Sequence, residues 1–139
     1  MEANQTAQKV VKIAMFDDCL EVLGYYQDLF AATECKIELF CATYMPSVII
    51  GMNELIKFNP DLIITNLTFY ESSEDGFCLM QWFQEVFHEV PIVVLSKHVS
   101  DRDLAGLKMK TRCLKAGAVA AFSKFPNYPP AEDFLQFVH

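Results

Sequence analysis

Short runs of β-type residues alternate along this chain with longer stretches whose apolar positions recur every three or four residues. The runs are Val10 to Phe16, Lys36 to Phe40, Asp61 to Asn66, Pro91 to Ser96 and Ala118 to Phe122. Their regular alternation with amphipathic segments predicts a parallel sheet joined by crossover helices. The third and fourth runs are almost continuously apolar, as strands buried on both faces are, and belong at the centre of the sheet. Between the runs, Leu20, Leu23, Gln27 and Phe30, with Val22, Tyr26 and Leu29, keep helical spacing. Val48, Met52, Leu55 and Ile56 do likewise, as do Phe77, Met80, Phe83 and Phe87. Each set describes a helix with one apolar side, and the Phe and Met stripes are read as packing against the sheet rather than as cofactor contacts. Asp101 is the expected N-cap of a fourth helix through Leu104, Leu107 and Leu114 that stops at Gly117. A short last helix is expected near Pro130.

Composition narrows the class. The 139 residues suit a single domain, with its core between about residues 10 and 138, and 53% hydrophobic residues supply a sizeable interior. Neither a repeat nor a Gly/Ser linker divides it. Eleven basic residues against eighteen acidic give a net charge of −7, without the basic cluster that binding to nucleic acid requires. The polar start, Met1 to Gln8, has no apolar leader pattern, and no apolar stretch approaches the roughly 20 residues that span a bilayer, so a cytoplasmic, membrane-free protein is expected. Five cysteines (19, 35, 41, 78 and 113) lack Cys-x-x-Cys spacing and read as reduced, buried thiols.

In an open parallel sheet, ligands and reactive groups gather beyond the carboxyl ends of the strands. Here those ends carry Asp17 and Asp18, Asn66, Ser96 and, just after the fifth run, Lys124. These five are expected to converge. The acidic pair offers hard oxygen ligands suited to Mg²⁺, or a partner for an ammonium; taken alone it would merely solvate a loop near a helix start. Lys124 could pair with those carboxylates or hold a phosphoryl oxygen, and the Ser96 hydroxyl could bond another. The turn after the first run lacks the Gly, Ser and Thr of a nucleotide or flavin phosphate loop, and Ser96 has no Gly-x-Ser-x-Gly elbow.

Taken together, Phe16-Asp17-Asp18, Pro60 to Asn66, Pro91 to Ser96 and Lys115-Ala116-Gly117-Ala118 through Lys124 resemble the receiver domain of bacterial two-component response regulators. The resemblance spans nearly the whole chain. It implies a three-layer α/β fold of the flavodoxin-like, CheY-like kind, with five helices flanking a parallel sheet of five strands ordered 2-1-3-4-5. It also implies a Mg²⁺ site made of Asp17, Asp18, the residue at position 66 and the backbone carbonyl of Thr68, with Ser96 and Lys124 contacting phosphate.

The departures are as informative. The family's phosphate-accepting aspartate is Asn66 here, and a carboxamide is a far poorer nucleophile toward phosphorus than a carboxylate. One negative charge fewer also weakens Mg²⁺ binding, leaving Lys124 to satisfy the acidic pair. The loop from Leu67 to Gly76 is longer than the family's. The switch aromatic is replaced by Ala121, with Phe122 on the opposite strand face. Pro126 stands one residue later than the family proline, so the Lys124–Phe125 bond is expected to be trans. The fourth helix, around Asp103 to Lys115, is lengthened.

These features point to a pseudo-receiver, a nonenzymatic signalling module that works through protein contacts. The resemblance implies a histidine kinase or downstream effector as partner, meeting the face formed by the fourth helix, fifth strand and fifth helix; a homodimer could use the same face. The alternative is an ordinary phosphorylated receiver whose acceptor has been replaced by Asn66. A weaker one moves the acceptor to Asp75, Glu71 or Ser72.

Overall fold

The computed structural model describes residues 9–43, 49–69 and 74–138. Strands and helices alternate throughout: β1 (Val10–Phe16), α1 (Leu20–Ala31), β2 (Lys36–Ala42), α2 (Ile49–Phe58), β3 (Leu62–Thr65), α3 (Glu74–Val86), β4 (Ile92–Ser96), α4 (Leu104–Lys115), β5 (Ala120–Ser123) and α5 (Ala131–Leu135). The strands form one parallel sheet in the order β2-β1-β3-β4-β5, as expected for the flavodoxin-like arrangement. Every residue of β3 and β4 is buried, which accounts for their unbroken apolar sequence.

Period-two alternation divides the strand side chains between two cores. Ala14, Phe16, Ile63, Val94 and Ala121 pack with Leu55 of α2, Leu79, Met80 and Phe83 of α3, and Cys113 of α4. Ile13, Met15, Ile64, Val93 and Leu95 face the other way, against Val22, Tyr26 and Phe30 of α1 and Phe134 of α5. Helices therefore cover both faces of the sheet in three layers.

Several boundaries move from their expected places. The β5 strand starts at Ala120 because the preceding residues still close α4. Gly117 N–H donates to Leu114 O at 3.1 Å and Ala118 N–H to Cys113 O at 3.1 Å, while Gly117 sits at φ +112°. This is a Schellman end, which favours glycine at that position. Asn59, at φ 55°, serves similarly after α2. The β2 strand runs on to Ala42 because its pairing with β1 continues to Phe16.

The N-cap of α4 is Asp103, not Asp101. The Asp103 side chain accepts Gly106 N–H at 2.7 Å, whereas Asp101 pairs with Lys110 at 2.8 Å. Asp103→Ala is accordingly expected to cost about 1 kcal/mol, read as a lower urea midpoint, with Asp101→Ala costing less than half of that.

Helical spacing also overstated burial. Leu20, Ile56, Leu104, Leu107 and Leu114 are all exposed, and α4 instead turns Gly106 and Cys113 inward. A Cβ at Gly106 would overlap Ser100, so α4 sits close to the loop before it. The thiols divide as well. Cys113 is buried and Cys19 and Cys41 partly so, but Cys35, in the turn before β2, and Cys78, on the outward side of α3, are exposed. Met1 to Gln8, Val48, Glu71 and Ser72 lie outside the described residues. No helix among the described residues is long and apolar enough to cross a membrane.

Candidate functional site

The parallel register brings the strand ends together. Phe16 pairs with both Ala42 and Thr65, and Ser96 with Ser123, so the residues that follow leave the sheet side by side. Backbone bonds continue the alignment one step further. Asn66 N–H donates to Phe16 O at 2.8 Å, Asp17 N–H to Ala42 O at 3.0 Å and Lys124 N–H to Ser96 O at 3.3 Å.

Asp17, Asn66 and Lys124 are each buried there. The Lys124 ammonium lies 2.8 Å from Asp17 Oδ2, an ion pair with side chains only 9% and 1% exposed. Asp17 Oδ1 accepts Cys19 N–H at 2.9 Å, which fixes the turn into α1. Burial raises the Asp17 carboxyl above the ordinary range, outweighing the opposite pull of Lys124; the neighbouring Asp18 adds a smaller push upward.

Asn66 binds the cluster together. Its Oδ1 accepts Leu67 N–H at 2.8 Å, so its Nδ2 faces Asp17 Oδ1 at 3.4 Å, Asp18 Oδ1 at 3.2 Å and Thr68 O at 3.2 Å. Turned the other way, the amide oxygen would meet two carboxylates and a carbonyl, and the amide nitrogen would meet an N–H. Its surroundings therefore dictate the orientation. A donor stands amid the acidic pair and the carbonyl two residues on, the oxygens from which the resemblance builds a cation site.

The Asn66 position is held from behind. Gly76 N–H donates to Leu67 O at 2.9 Å, and a Cβ at Gly76 would overlap the Leu67 backbone. The start of α3 is thus pressed against the residue after Asn66. Asp75 is half-buried in the first turn of that helix.

A cavity of about 300 Å³ opens above the cluster, lined by Asp18, Asn66, Thr68, Lys97, Lys124 and Tyr128, among others. Four of the five expected residues are brought together, Asp17 beneath and Asp18, Asn66 and Lys124 along the wall. Ser96 is different. Its hydroxyl is fully buried, accepts His98 N–H at 3.1 Å and does not line the cavity. Sequence reasoning missed Lys97 and Tyr128. Lys97 carried a usable signal, since it is the first residue beyond β4; Tyr128 carried none.

Tyr128 belongs to an aromatic group that ties the end of the chain to α1. Its ring lies 4.9 Å from Tyr25 and 6.1 Å from Tyr26. The buried Tyr26 hydroxyl donates to Pro129 O at 2.8 Å, and burial pushes its phenol far above the ordinary range. On the β5 strand, Ala121 is buried beside Phe16 and Phe83, whereas Phe122 points the other way, 5.5 Å from Phe134 at 84°. The cis peptide near the site is Phe125–Pro126, which leaves Lys124–Phe125 trans.

Comparison with solved structures shows which fold carries this geometry. Vibrio cholerae chemotaxis protein CheY4 superposes with a TM-score of 0.70 at 18% identity, covering 94% of this chain and all (100%) of that one. A CheY-like response regulator receiver domain protein from Methanospirillum hungatei gives 0.67 at 17% identity, with 92% of this chain and 90% of that one covered. The Francisella response regulator 1452 receiver domain gives 0.67 at 19%, with 91% and 93% covered. The fold is that of CheY-like receiver domains. At the level of sequence, neither a family model nor a curated protein matches this chain. On the receiver fold, the strand-end cluster occupies the carboxyl edge of the sheet, where open α/β sheets place their sites.

Proposed function

We propose that this chain is a receiver-type signalling module of two-component systems that acts without aspartyl phosphorylation and without catalysis, through contact with a protein partner. The observation that carries the reading is the Asn66 amide. Its nitrogen donates to both members of the acidic pair and to Thr68 O, and its oxygen is engaged by Leu67 N–H. The usual acceptor of a phosphoryl group here is an anionic carboxylate oxygen, and this side chain offers only the oxygen of a neutral amide.

The same arrangement speaks against Mg²⁺ in the parent chain. A hard cation needs converging oxygens with net negative charge. Here Asp17 is neutralised by Lys124, and an N–H donor occupies the space between the remaining oxygens. Ala121 gives further support, because an activation switch that turns on a moving aromatic lacks that part here. The partner reading, a histidine kinase or an effector at the face formed by α4, β5 and α5, rests on the fold and on the exposed apolar residues of that face.

Intact mass after incubation with Mg²⁺ and acetyl phosphate tests the proposal. The parent chain should gain no phosphoryl group. A stable adduct on it would overturn the reading, and peptide mapping would show whether Asp75, Glu71 or Ser72 had accepted the phosphate. Labelling of Asn66→Asp alone would show that one amide blocks an otherwise competent pocket, as expected for an ordinary receiver with a replaced acceptor.

A further inference from the structure

The cavity above the strand ends holds two charges that the cluster beneath it leaves uncompensated. Asp17 and Lys124 neutralise each other at 2.8 Å, and the Asn66 amide is shared among its neighbours. Asp18, exposed where β1 gives way to α1, has the neutral Asn66 amide at 3.2 Å but no cation among the described residues. Lys97, exposed just beyond β4, likewise has no ion-pair partner among them. The two line one cavity without pairing with each other, and both stand on pinned turns. Cys19 N–H bonds Asp17 Oδ1 around Asp18, and His98 N–H bonds the Ser96 hydroxyl around Lys97. Opposite charges held apart in one pocket are complementary to a ligand that carries both signs.

Beside these charges stand apolar side chains. Val22 of α1 is buried against the cavity, and Phe125, although 64% exposed, lines it together with Tyr128. The Tyr128 ring is held in place by Tyr25 at 4.9 Å and Tyr26 at 6.1 Å, and the Tyr26 hydroxyl fixes the next residue through Pro129 O. A ring set in advance offers a flat contact to an apolar group at little cost in ordering.

We propose that this cavity takes a free α-amino acid with an apolar or aromatic side chain, its ammonium on Asp18, its carboxylate on Lys97 and its side chain against Val22, Phe125 and Tyr128. The inference rests on the reading that this site carries no phosphoryl group, and it names a small-molecule input for the same site. Charge and size decide between ligands. A simple carboxylate or phosphate would set its own charge beside Asp18, and a simple amine or metal ion would meet Lys97 and the Asn66 donor. A volume of about 300 Å³ is at the lower end for ligand sites, which suits one amino acid rather than a nucleotide or a peptide. Bound there, the amino acid bridges the segments that leave β1, β4 and β5, and by mass action it stabilises the folded chain.

The test is calorimetric titration of the full chain with L-phenylalanine, beside phenethylamine, which lacks the carboxylate, 3-phenylpropionate, which lacks the ammonium, and glycine, which lacks the side chain. Each of the three should bind roughly tenfold or more weakly than L-phenylalanine, which should also raise the melting temperature. Asp18→Asn and Lys97→Met, both at exposed positions, should each weaken L-phenylalanine by roughly tenfold or more. Asp18→Asn should spare 3-phenylpropionate and Lys97→Met should spare phenethylamine, a crossed pattern that misfolding would not produce; melting curves without ligand verify that both variants fold. No binding of any common α-amino acid, binding of either charge-truncated probe as tightly as L-phenylalanine, tighter binding of inorganic phosphate, or undiminished binding by both variants would overturn the inference. Phosphoryl transfer to the parent chain, with L-phenylalanine still bound, would defeat the proposed function and leave the amino-acid site standing. Absence of both binding and phosphoryl transfer would do the reverse.

Discussion

Asn66→Asp will unfold well before the parent chain when divalent cations are absent, and Mg²⁺ or Mn²⁺ will restore much of the loss. The substitution exchanges the donor that holds Asp17 Oδ1, Asp18 Oδ1 and Thr68 O for a further acceptor. Three carboxylates then crowd a site whose only buried cation, among the described residues, is Lys124. Removing the compensating partner from a buried charged cluster costs about 3 kcal/mol, roughly 10 °C of melting temperature for a domain of this size. A cation can replace the lost donor by accepting the same oxygens as ligands. Melting curves with EDTA and with Mg²⁺ separate the outcomes. The parent chain should be indifferent to Mg²⁺, and an equal Mg²⁺ shift in parent and variant would show that the amide does not govern the site.

Lys124→Met will be the most damaging substitution at the site, and its penalty will depend on pH. The methionine keeps the volume but strands Asp17, only 1% exposed, with no ammonium beside it, at a cost of about 3–5 kcal/mol near neutrality. Asp17 already holds its proton more tightly in the folded chain than its ordinary value of 3.8, chiefly through burial. A group raised in this way makes stability fall as pH rises from the ordinary value to the folded one, and has no slope outside that window. Loss of Lys124 raises the folded value further and widens the window upward. Urea midpoints should therefore show a larger deficit for Lys124→Met at pH 8 than at pH 5, and Asp17→Asn in the same chain should recover most of it. A deficit independent of pH would mean that packing, not charge, is what Lys124 supplies.

Much of the architecture was legible because the sheet is buried on both sides. Unbroken apolar runs at β3 and β4, and the alternating rhythm, carry the layer order and the strand ends, and with them Asp17, Asp18, Asn66 and Lys124. The errors share a physical cause. Periodicity marks which residues share a face but not which way that face turns. At α4 the inward positions are two small residues, Gly106 against Ser100 of the preceding loop and Cys113 in the core, so the leucines were left outside. Capping was misjudged by two residues because Asp101 and Asp103 are equally good candidates by type, and only the direction of the chain decides between them. The engagement of Ser96 by His98 N–H, and the donor role of Asn66, depend on local turns that residue identity does not reveal.

The hydrogen bond from Tyr26 to Pro129 joins positions 103 residues apart, and the Lys124–Asp17 pair also closes nearly the full length of the chain. Contacts of such separation bear the largest loop-closure entropy and are among the last to form. They weigh on the rate of escape from the folded state more than on the rate of reaching it. Changes that loosen these two contacts are therefore expected to speed unfolding more than they slow folding, and since one of the two is the Lys124–Asp17 pair, wear at the candidate site and loss of the chain's closing contacts are expected to go together.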